Sequence, residues 1–307
     1  MANLEHLRIF IAVADAAGFA PAARQLQLSP PAVTRAIAAL EQNLGARLLH
    51  RSTRLVRLTE VGQRFLGDAR RILAELEEAE ASARGAHTEP QGELALTAPV
   101  MFGRLHVAPL LTDFLVQHPK VTARVLFIDR VVHLLEEGFD VALRIARLPD
   151  SNFTAMPVGS VRRVVVASPA YLAQHGTPQV PADLPAHRAI GFGAPNGGPV
   201  RWTFCPPGST DLLDGAQPRI GLMVNAVDVG IDAAVAGHGL VRVLSYQVGE
   251  YLADGRLVRV LADHEPPPVP VQLVYPEGRH AAAKVRAFVD FAARRLRNEP
   301  ALRGEGG

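Results

Sequence analysis

The chain has 307 residues, of which 48% are hydrophobic and 20% charged, and its formal net charge is +2. This length and balance predict a globular protein of two or three domains with a sizeable core. No apolar run reaches the roughly 18–20 residues of a membrane span, and the N-terminus lacks the basic start and smooth apolar stretch of a signal peptide, so we expect a cytoplasmic protein with no membrane partner.

The N-terminal segment predicts two short helices. Apolar residues recur at three- and four-residue spacing from Leu4 to Ala14, as in an amphipathic helix, and Gly18 ends this helix. Pro21 then fits the first turn of a second helix over Ala22–Gln25, because the missing N–H of a proline costs nothing there. A tight turn at Gln27 follows.

A third helix is predicted from Pro30 to Asn43. Ser29 is a good N-cap, and Pro30 suits the first helical position. The outward face of this helix is small and polar apart from one arginine, and it consists of Pro31, Thr34, Arg35 and Ala38. Two short helices joined by a tight turn, with such a face on the second, match the helix-turn-helix plan, in which the second helix enters the major groove of DNA.

Two short strands are predicted at 47–49 and 55–58, and the hairpin tip between them carries Arg51 and Arg54. The first 57 residues contain seven arginines and three acidic residues, and no acid interrupts the last four arginines, which start at Arg47. A basic stretch beside a helical module is typical of a phosphate binder, and an arginine at such a tip can reach phosphates or a narrow minor groove. A solvated basic face is the alternative.

A long helix is predicted after Thr59, which can cap it. Its apolar residues follow at alternating three- and four-residue steps over about three heptads. We interpret this seam as a dimer interface, because an isolated long helix gains little without a partner; packing on its own domain is the alternative. A polar segment between Gly85 and Gly92 indicates a domain boundary. The seam residues are Val61, Phe65, Ala69, Ile72, Leu76, Ala79 and Ala83.

From Glu93 onward, predicted strands and helices alternate, which implies parallel βαβ units in an open α/β sheet. The first series has strands at 93–98, 121–128 and 140–146 and helices at 102–118 and 131–137. A second series begins after Gly159, with one helix capped by Ser168 and another, extending to Ala236, capped by Asn225. Its other elements are strands at 162–168, 188–192, 201–204, 219–224, 240–244, 256–261 and 266–276, a short helix at 245–252 and a closing helix at 281–297. A disordered tail is expected after residue 297.

Ligands of open α/β sheets bind beyond the carboxyl ends of the strands. Asn225 at a helix N-terminus could favour an anionic group there. Arg144 is either the counter-charge for a carboxylate or an arginine paired with a structural acid such as Asp140 or Asp129, and Trp202 is either a cleft wall or core. The candidate effector-binding residues are Ala98, Pro99, Val100, Met101, Phe102, Phe127, Arg144, Trp202, Phe204 and Asn225.

The sequence contains no motif that indicates catalysis. G-x-S-x-G, G-x-x-x-x-G-K-[ST], H-E-x-x-H and C-x-x-C are all missing, and the eleven histidines show no metal-ligand spacing. Cys205 is the only cysteine, so no intrachain disulfide can form, and it fits a small buried hydrophobe better than a nucleophile. We therefore expect no catalytic residue, no metal and no cofactor.

The segment from Leu4 to Gly62 resembles the DNA-binding domain of LysR-type transcriptional regulators nearly end to end. It contains, in order, A-A-R-x-L, L-S-x-P-A-V-T-R-A-I-x-x-L-E, L-G-x-R-L-L-x-R and L-T-E-x-G. Pro30 stands where the family often has a glutamine able to read an adenine edge, and Ala20 stands where a Ser or Thr usually caps the second helix. The resemblance implies a DNA-binding surface made of Ser29, Pro30, Pro31, Thr34 and Arg35, with wing contacts from Arg51, Thr53 and Arg54.

The remaining chain resembles the effector-binding domain of the same family, a periplasmic-binding-protein-like α/β fold with two lobes. Matching signatures include D-V-A-L-R-I, A-S-P-A-Y-L, G-L-x-V-N, A-V-A-G-x-G-L and K-V-R-A-F-V-D-F. Ala98 and Pro99 stand where many relatives have a hydroxyl residue, and Arg242 projects either into the cleft or to solvent. The resemblance implies a winged helix-turn-helix at 1–60, a linker dimerisation helix at 61–90 and an effector domain at 91–300, with lobe I at 91–160 and 267–300 and lobe II at 161–266.

The expected fold class is thus an N-terminal all-α winged helix-turn-helix plus linker helix, followed by a C-terminal α/β two-lobed periplasmic-binding-protein-like domain. The resemblance implies a sequence-specific transcription regulator that binds a pseudo-palindromic double-stranded DNA site as a homodimer or homotetramer. It also implies contact with RNA polymerase and a response to a small-molecule effector held between the lobes. An enzyme with an appended helix-turn-helix and a nucleoid-type architectural DNA binder are the alternatives.

Overall fold

The computed structural model describes residues 3–51, 56–83, 89–130, 132, 134, 136–148, 153–193, 201–276 and 282–303. The chain separates into two compact units, Met1–Glu89 and Pro90–Gly307. Within the described residues, no helix combines the length and the apolar character needed to cross a membrane.

Four helices and a hairpin form the N-terminal unit. The second helix begins at Phe19 rather than after Pro21, because the Gly18 carbonyl already accepts the first helical hydrogen bond, from the Ala22 N–H. Pro21 then occupies the third helical position, where no N–H partner is required. The elements are α1 (Leu4–Asp15), α2 (Phe19–Gln25), α3 (Pro30–Leu44), the antiparallel pair β1 (Leu49–Arg51) and β2 (Val56–Leu58), and α4 (Glu60–Ala83).

Two side chains join the hairpin to the helices. The Glu41 carboxylate at the end of α3 accepts hydrogen bonds from the N–H groups of Leu48 and Leu49, at 2.9 and 3.1 Å. Thr59 caps α4 as the sequence predicts, since its hydroxyl accepts from the Gly62 N–H at 2.9 Å, and it also donates to the Arg47 carbonyl. The hairpin is thereby fixed against both helices.

Helix α4 divides its apolar residues between two surfaces. The Phe65 ring lies 5.6 Å from the Phe10 ring, and Ala69 is fully buried against the core of this unit. Val61 and Ile72, in contrast, are 43% and 41% exposed. The alternative, packing on its own domain, therefore holds for one side of the helix, and the dimer interface stays a prediction for the uncovered side.

The C-terminal unit contains two five-stranded mixed sheets. The first has the order β4-β3-β5-β14-β6 and the second β11-β8-β12-β7-β13. Up to the first crossover the elements are β3 (Gly92–Ala98), α5 (Val100–Phe102), a π-helical turn (Gly103–Val107), α6 (Ala108–Gln117), β4 (Val121–Phe127), β5 (Val141–Ile145) and β6 (Phe153–Val161).

The second sheet and the return to the first follow in the chain. The elements are β7 (Arg163–Ala167), α7 (Pro169–His175), β8 (Arg188–Phe192), β9 (Thr203–Phe204), β10 (Leu213–Asp214), β11 (Arg219–Val224), α8 (Val227–Val235), β12 (Leu240–Leu244), α9 (Ser245–Ala253), β13 (Val258–Val260), β14 (Val269–Pro276) and α10 (Ala283–Arg297), with short 3-10 turns at Pro181–Ala186, Ala262–His264 and Pro300–Leu302. Each sheet is the centre of one lobe.

The 131–137 helix and the disordered tail predicted for this unit are wrong, and one strand was not predicted. The described part of 131–137 forms turns, because Val132 and Leu134 are both buried and a helix would place residues i and i+2 on opposite faces. Strand β6 was not predicted because Pro157 and Gly159 lie within it, and it tolerates them as an edge strand. The end of the chain is ordered as far as 303, since Leu302 is buried against Gly159.

The crossovers between the lobes are tied by one buried carboxylate. The chain passes from β6 to β7 at Arg162 and returns to the first sheet between β13 and β14. Glu265 in the return segment has a side chain only 4% exposed and binds Arg259 through two hydrogen bonds of 2.6 Å. Arg162 Nη1 lies 4.0 Å from the same carboxylate. Both connections thus converge on Glu265.

Replacing Glu265 with Gln should lower the stability of the full chain by about 3–5 kcal/mol, because the partly buried Arg259 charge would lose its buried counter-charge. Urea unfolding followed by circular dichroism measures the effect. The control is Glu93→Gln, which removes an exposed pair with Arg124 and should cost less than about 1 kcal/mol. Equal losses in the two variants would contradict the role given to Glu265.

A second prediction concerns two glycines of α4. A Cβ at Gly62 would lie 2.0 Å from the Leu48 carbonyl oxygen, whereas a Cβ at Gly67 would meet nothing within 4 Å. Gly62→Ala should therefore destabilise the N-terminal unit by at least about 2 kcal/mol through overpacking. Gly67→Ala should instead stabilise it by up to about 1 kcal/mol through helix propensity. Thermal unfolding of the full-length variants measures both effects. If the contact with Leu48 is as described, the melting temperature falls for Gly62→Ala and rises for Gly67→Ala.

Candidate DNA-binding surface and effector cleft

The outward face of α3 is open to solvent, as the sequence predicts. Ser29, Pro30, Pro31, Thr34 and Arg35 are all exposed. Ser29 caps the helix, since its hydroxyl accepts from the Ala32 N–H, and Thr34 donates to the Pro30 carbonyl at 3.0 Å. Arg35 has no hydrogen-bond or ion-pair partner among the described residues, so its five N–H donors are available to another molecule.

The hairpin carries part of the basic stretch that the sequence analysis identified from Arg47 to Arg57. Arg57 on β2 is paired in the strand register with His50 on β1, and both are exposed, as is Arg47 before the hairpin. The backbone of Arg51 lies in β1, while Thr53 and Arg54 fall outside the described residues. Their wing role stays a prediction. The sequence places Arg57 in the basic stretch, but only strand pairing shows that its side chain and that of His50 face the same way.

The segment after β3 brings five candidate effector residues to the edge of the first lobe. Ala98 and Phe102 are buried in the core, whereas Val100 is exposed and donates its backbone N–H to Asp129 at 3.0 Å. Pro99 and Met101 are partly buried, and Met101 packs against the cores of both lobes. Only part of this segment is therefore available to a ligand.

Two aromatic contacts fix this edge. The Phe127 ring fills the space above Gly103, where a Cβ would lie 2.2 Å from the ring. The Phe102 ring lies 5.2 Å from the ring of Tyr246 on α9, and burial raises the pKa of Tyr246 well above its usual range. The backbone of Tyr246 belongs to the second lobe, whereas its side chain packs in the core of the first. Tyr246 therefore connects the two lobes.

Arg144 pairs with neither of the acids proposed for it. Its Nη2 donates to the Val132 carbonyl at 2.8 Å, and burial lowers its pKa. Asp140 accepts from the Ala95 N–H and lies 3.4 Å from the ammonium group of Lys284, and Asp129 accepts from Val100. Asp140 and Asp129 are thus wrong as partners of Arg144: the Val132 carbonyl holds the guanidinium, and Glu137 is the carboxylate whose charge acts on it.

Trp202 and Phe204 belong to the core of the second lobe. They are each 4% exposed. The backbone N–H of Trp202 donates to Gln217 Oε1 at 2.8 Å, and Gln217 Nε2 donates to the Trp202 carbonyl at 2.9 Å. Asn225 does not cap α8, because the helix begins at Val227 and Ala226 is the N-cap. Asn225 is exposed just before it.

Two arginines lie together in the second lobe, and the sequence analysis named only one of them, Arg242. Arg242 on β12 donates to the carbonyls of Thr203 and Arg201, at 3.1 and 3.0 Å, and lies 5.7 Å above the Trp202 ring. Burial and the positive charge of Arg163 lower the pKa of Arg242 to about 10. Arg163 gave no signal in the sequence beyond being the second of two arginines at the start of a strand.

Comparison with known proteins agrees with this arrangement. Residues 4–63 match the bacterial regulatory helix-turn-helix family of lysR type, and residues 87–297 match the LysR substrate-binding domain. An HTH-type transcriptional regulator of Xanthomonas campestris pv. campestris is 35% identical over 300 residues, covering 96% of this chain and 86% of the relative. The probable HTH-type transcriptional regulator LtrA of Klebsiella pneumoniae is 32% identical over 291 residues, covering 94% and 93%.

Among solved structures, the LysR-type transcriptional regulator CrgA of Neisseria meningitidis has a TM-score of 0.59 and 29% identity, with 97% of this chain and 100% of that chain covered. Two family matches therefore account for most of the sequence, and full-length relatives share both domains in the same order. The chain belongs to the LysR-type family of transcriptional regulators, with a helix-turn-helix DNA-binding domain followed by a two-lobed regulatory domain.

Proposed function

We propose that this regulator acts in the cytoplasm, where it binds a pseudo-palindromic promoter site as a homodimer or homotetramer and contacts RNA polymerase. A small-molecule effector binds between the two lobes and changes that contact. The observation that carries the proposal is the exposed face of α3, where Arg35, without a partner among the described residues, lies beside the small side chains of Pro31 and Thr34.

The chemistry of α3 suits the major groove. Pro31 and Thr34 are small enough to let the helix approach base edges, and Arg35 can donate two hydrogen bonds to a guanine. The exposed Arg47 and Arg57 add charge for phosphates, which positions a protein on DNA without reading sequence. Arg51, Thr53 and Arg54 at the wing extend the same surface in the proposal.

Self-association is supported by uncovered apolar side chains. Val61 and Ile72 form an exposed stripe on α4, which suits a second copy of that helix. In the regulatory unit, the edge strands β4 and β11 carry the exposed apolar residues Leu126, Leu222 and Met223. A second interface of this kind would turn a dimer into a tetramer.

The effector is proposed to act by favouring one arrangement of the lobes. Its site would include the accessible residues near the first crossover, among them Val100, Met101, Phe127, Arg144 and Asn225. The change that it causes can be no larger than the difference in its affinity for the two arrangements. No cofactor is needed in this scheme.

We predict that Arg35→Ala weakens binding to the protein's own upstream DNA by about 1–3 kcal/mol relative to unrelated duplex, because a base contact is lost. Arg54→Ala should instead weaken both duplexes alike and reduce the slope of log affinity against log salt concentration by about one. Fluorescence anisotropy with labelled duplexes over a salt series measures both effects.

The matched control for these variants is Arg256→Ala, an exposed arginine of the regulatory unit that pairs with Asp254. It should leave both affinities unchanged. If neither Arg35→Ala nor Arg54→Ala alters binding, or if wild-type protein prefers its own upstream duplex no more than unrelated DNA, the assignment of the surface is wrong.

Ile72→Glu should shift the dimer toward monomer, because a charge would replace an apolar side chain in the proposed seam. Analytical ultracentrifugation should show at least a roughly tenfold weaker association, equivalent to a loss of about 1.4 kcal/mol. The control Gln63→Glu places a charge at another exposed position of α4 and should leave association unchanged. Unaltered sedimentation of Ile72→Glu would exclude this face as the interface.

A further inference from the structure

Arg163 and Arg242 lie on one face of the second sheet. In the antiparallel pairing of β12 with β7, Arg242 is opposite Val165 and Leu244 is opposite Arg163. Residues two apart in a strand point to the same side, so the two arginines are diagonal neighbours on that face. Strand pairing thus places the two arginines roughly 7–8 Å apart along a diagonal, a separation that long side chains can span.

Among the described residues, no carboxylate forms an ion pair with Arg163 or Arg242. Arg242 donates to two backbone carbonyls and Arg163 makes no hydrogen bond or ion pair within the part of the chain that the structure describes. The two bonds of Arg242 use two of the five N–H donors of its guanidinium. A partly buried cation is normally paired, as Arg259 is with Glu265 in the same lobe. An anion from outside the chain would supply the missing charge.

The pair lies at the boundary between the lobes. Arg163 is the first residue after the crossover at Arg162, and Leu244, its partner in the strand register, packs against the core of the first lobe. The side chain of Arg163 is exposed, yet burial lowers the pKa of its guanidinium. The guanidinium of Arg163 is therefore accessible to a ligand at the boundary between the lobes.

We propose that Arg163 and Arg242 form a subsite that binds an oxyanionic group of the effector, a carboxylate or a phosphate. This inference rests on the proposed function, because it assigns a chemical class to the molecule that binds between the lobes. The planar guanidinium donates two parallel hydrogen bonds to either group. An anion held there lies beside the crossover, so its affinity depends on the arrangement of the lobes.

Trp202 offers a direct test, because it is the only tryptophan of the chain and its ring lies beneath Arg242. Full-length protein is titrated with succinate or with inorganic phosphate while sodium chloride keeps the ionic strength constant. A saturable change of tryptophan emission is expected with at least one of them, and the anion that gives it identifies the class. A response that follows ionic strength alone, or no saturable response to either anion, overturns the proposal.

Substitutions test whether Arg163 and Arg242 bind the anion that changes the tryptophan emission. Arg163→Gln should weaken the binding of the responding anion at least about tenfold, the usual loss for a charge-assisted hydrogen bond. Arg219→Gln, an exposed arginine on β11 in the same lobe, should leave it unchanged. Equal affinities of Arg163→Gln and wild type overturn the proposal. Arg242→Gln should lose the response too, but the decision rests on Arg163, whose side chain makes no hydrogen bond or ion pair with the described residues.

The same proteins are then tested on DNA. Arg163→Gln should still prefer the upstream duplex to unrelated DNA. If wild type shows that preference but no anion response, the subsite is wrong and the proposed function stands. If wild type shows no preference for its upstream duplex, the proposed function fails independently of the anion result.

Discussion

The regulatory domain depends on how two backbone connections between its lobes are held together. The buried carboxylate of Glu265 binds Arg259 and lies near Arg162, so the outgoing and returning segments share one charged centre. A charge in such a place is tolerated only because its partners are fixed. The lobes can therefore differ in their arrangement only as far as these short connections allow, which is the property that a ligand between them would exploit.

In the N-terminal unit, side-chain hydrogen bonds hold the hairpin against the helices. Its hairpin is too short to be stable alone, since an isolated two-stranded ribbon is marginal in water. Glu41 supplies acceptors to its backbone from one side, and Thr59 supplies a donor from the other. Gly62 lets α4 approach the Leu48 carbonyl closely. These contacts give the surface formed by α3 and the hairpin a fixed shape.

Arginine serves different purposes in the two units. In the regulatory unit, Arg124, Arg130, Arg256 and Arg259 each pair with a carboxylate, and these pairs are structural. Arg35 in the N-terminal unit and Arg163 in the regulatory unit have no partner among the described residues. Unpaired charge at the surface costs little, but it leaves donors available for a phosphate or another anion. In the proposed function Arg35 contacts DNA, and Arg163 is proposed to bind an anion.

Local sequence was sufficient for the elements whose cause is local. Periodicity and caps predicted α1, α3 and the start of α4, and motif order predicted both domains. The predicted cap at Asn225 and the predicted helix over 131–137 were wrong. A cap or a helix there competes with contacts to the sheet, and local helix propensity does not include such contacts. Strand β6 was hidden because its proline is acceptable only at an edge, and edge position is a property of the whole sheet.

By itself, the sequence determined the family, the order of the domains and the outward face of α3, because each depends on residues close together in the chain. Tertiary structure decided which side of α4 stays uncovered, that Trp202 is core, and that Arg144 binds a carbonyl rather than an acid. It also brought Arg163 beside Arg242. These outcomes depend on contacts between distant segments, and the energy of a charge is set by what surrounds it in space rather than by its neighbours in sequence.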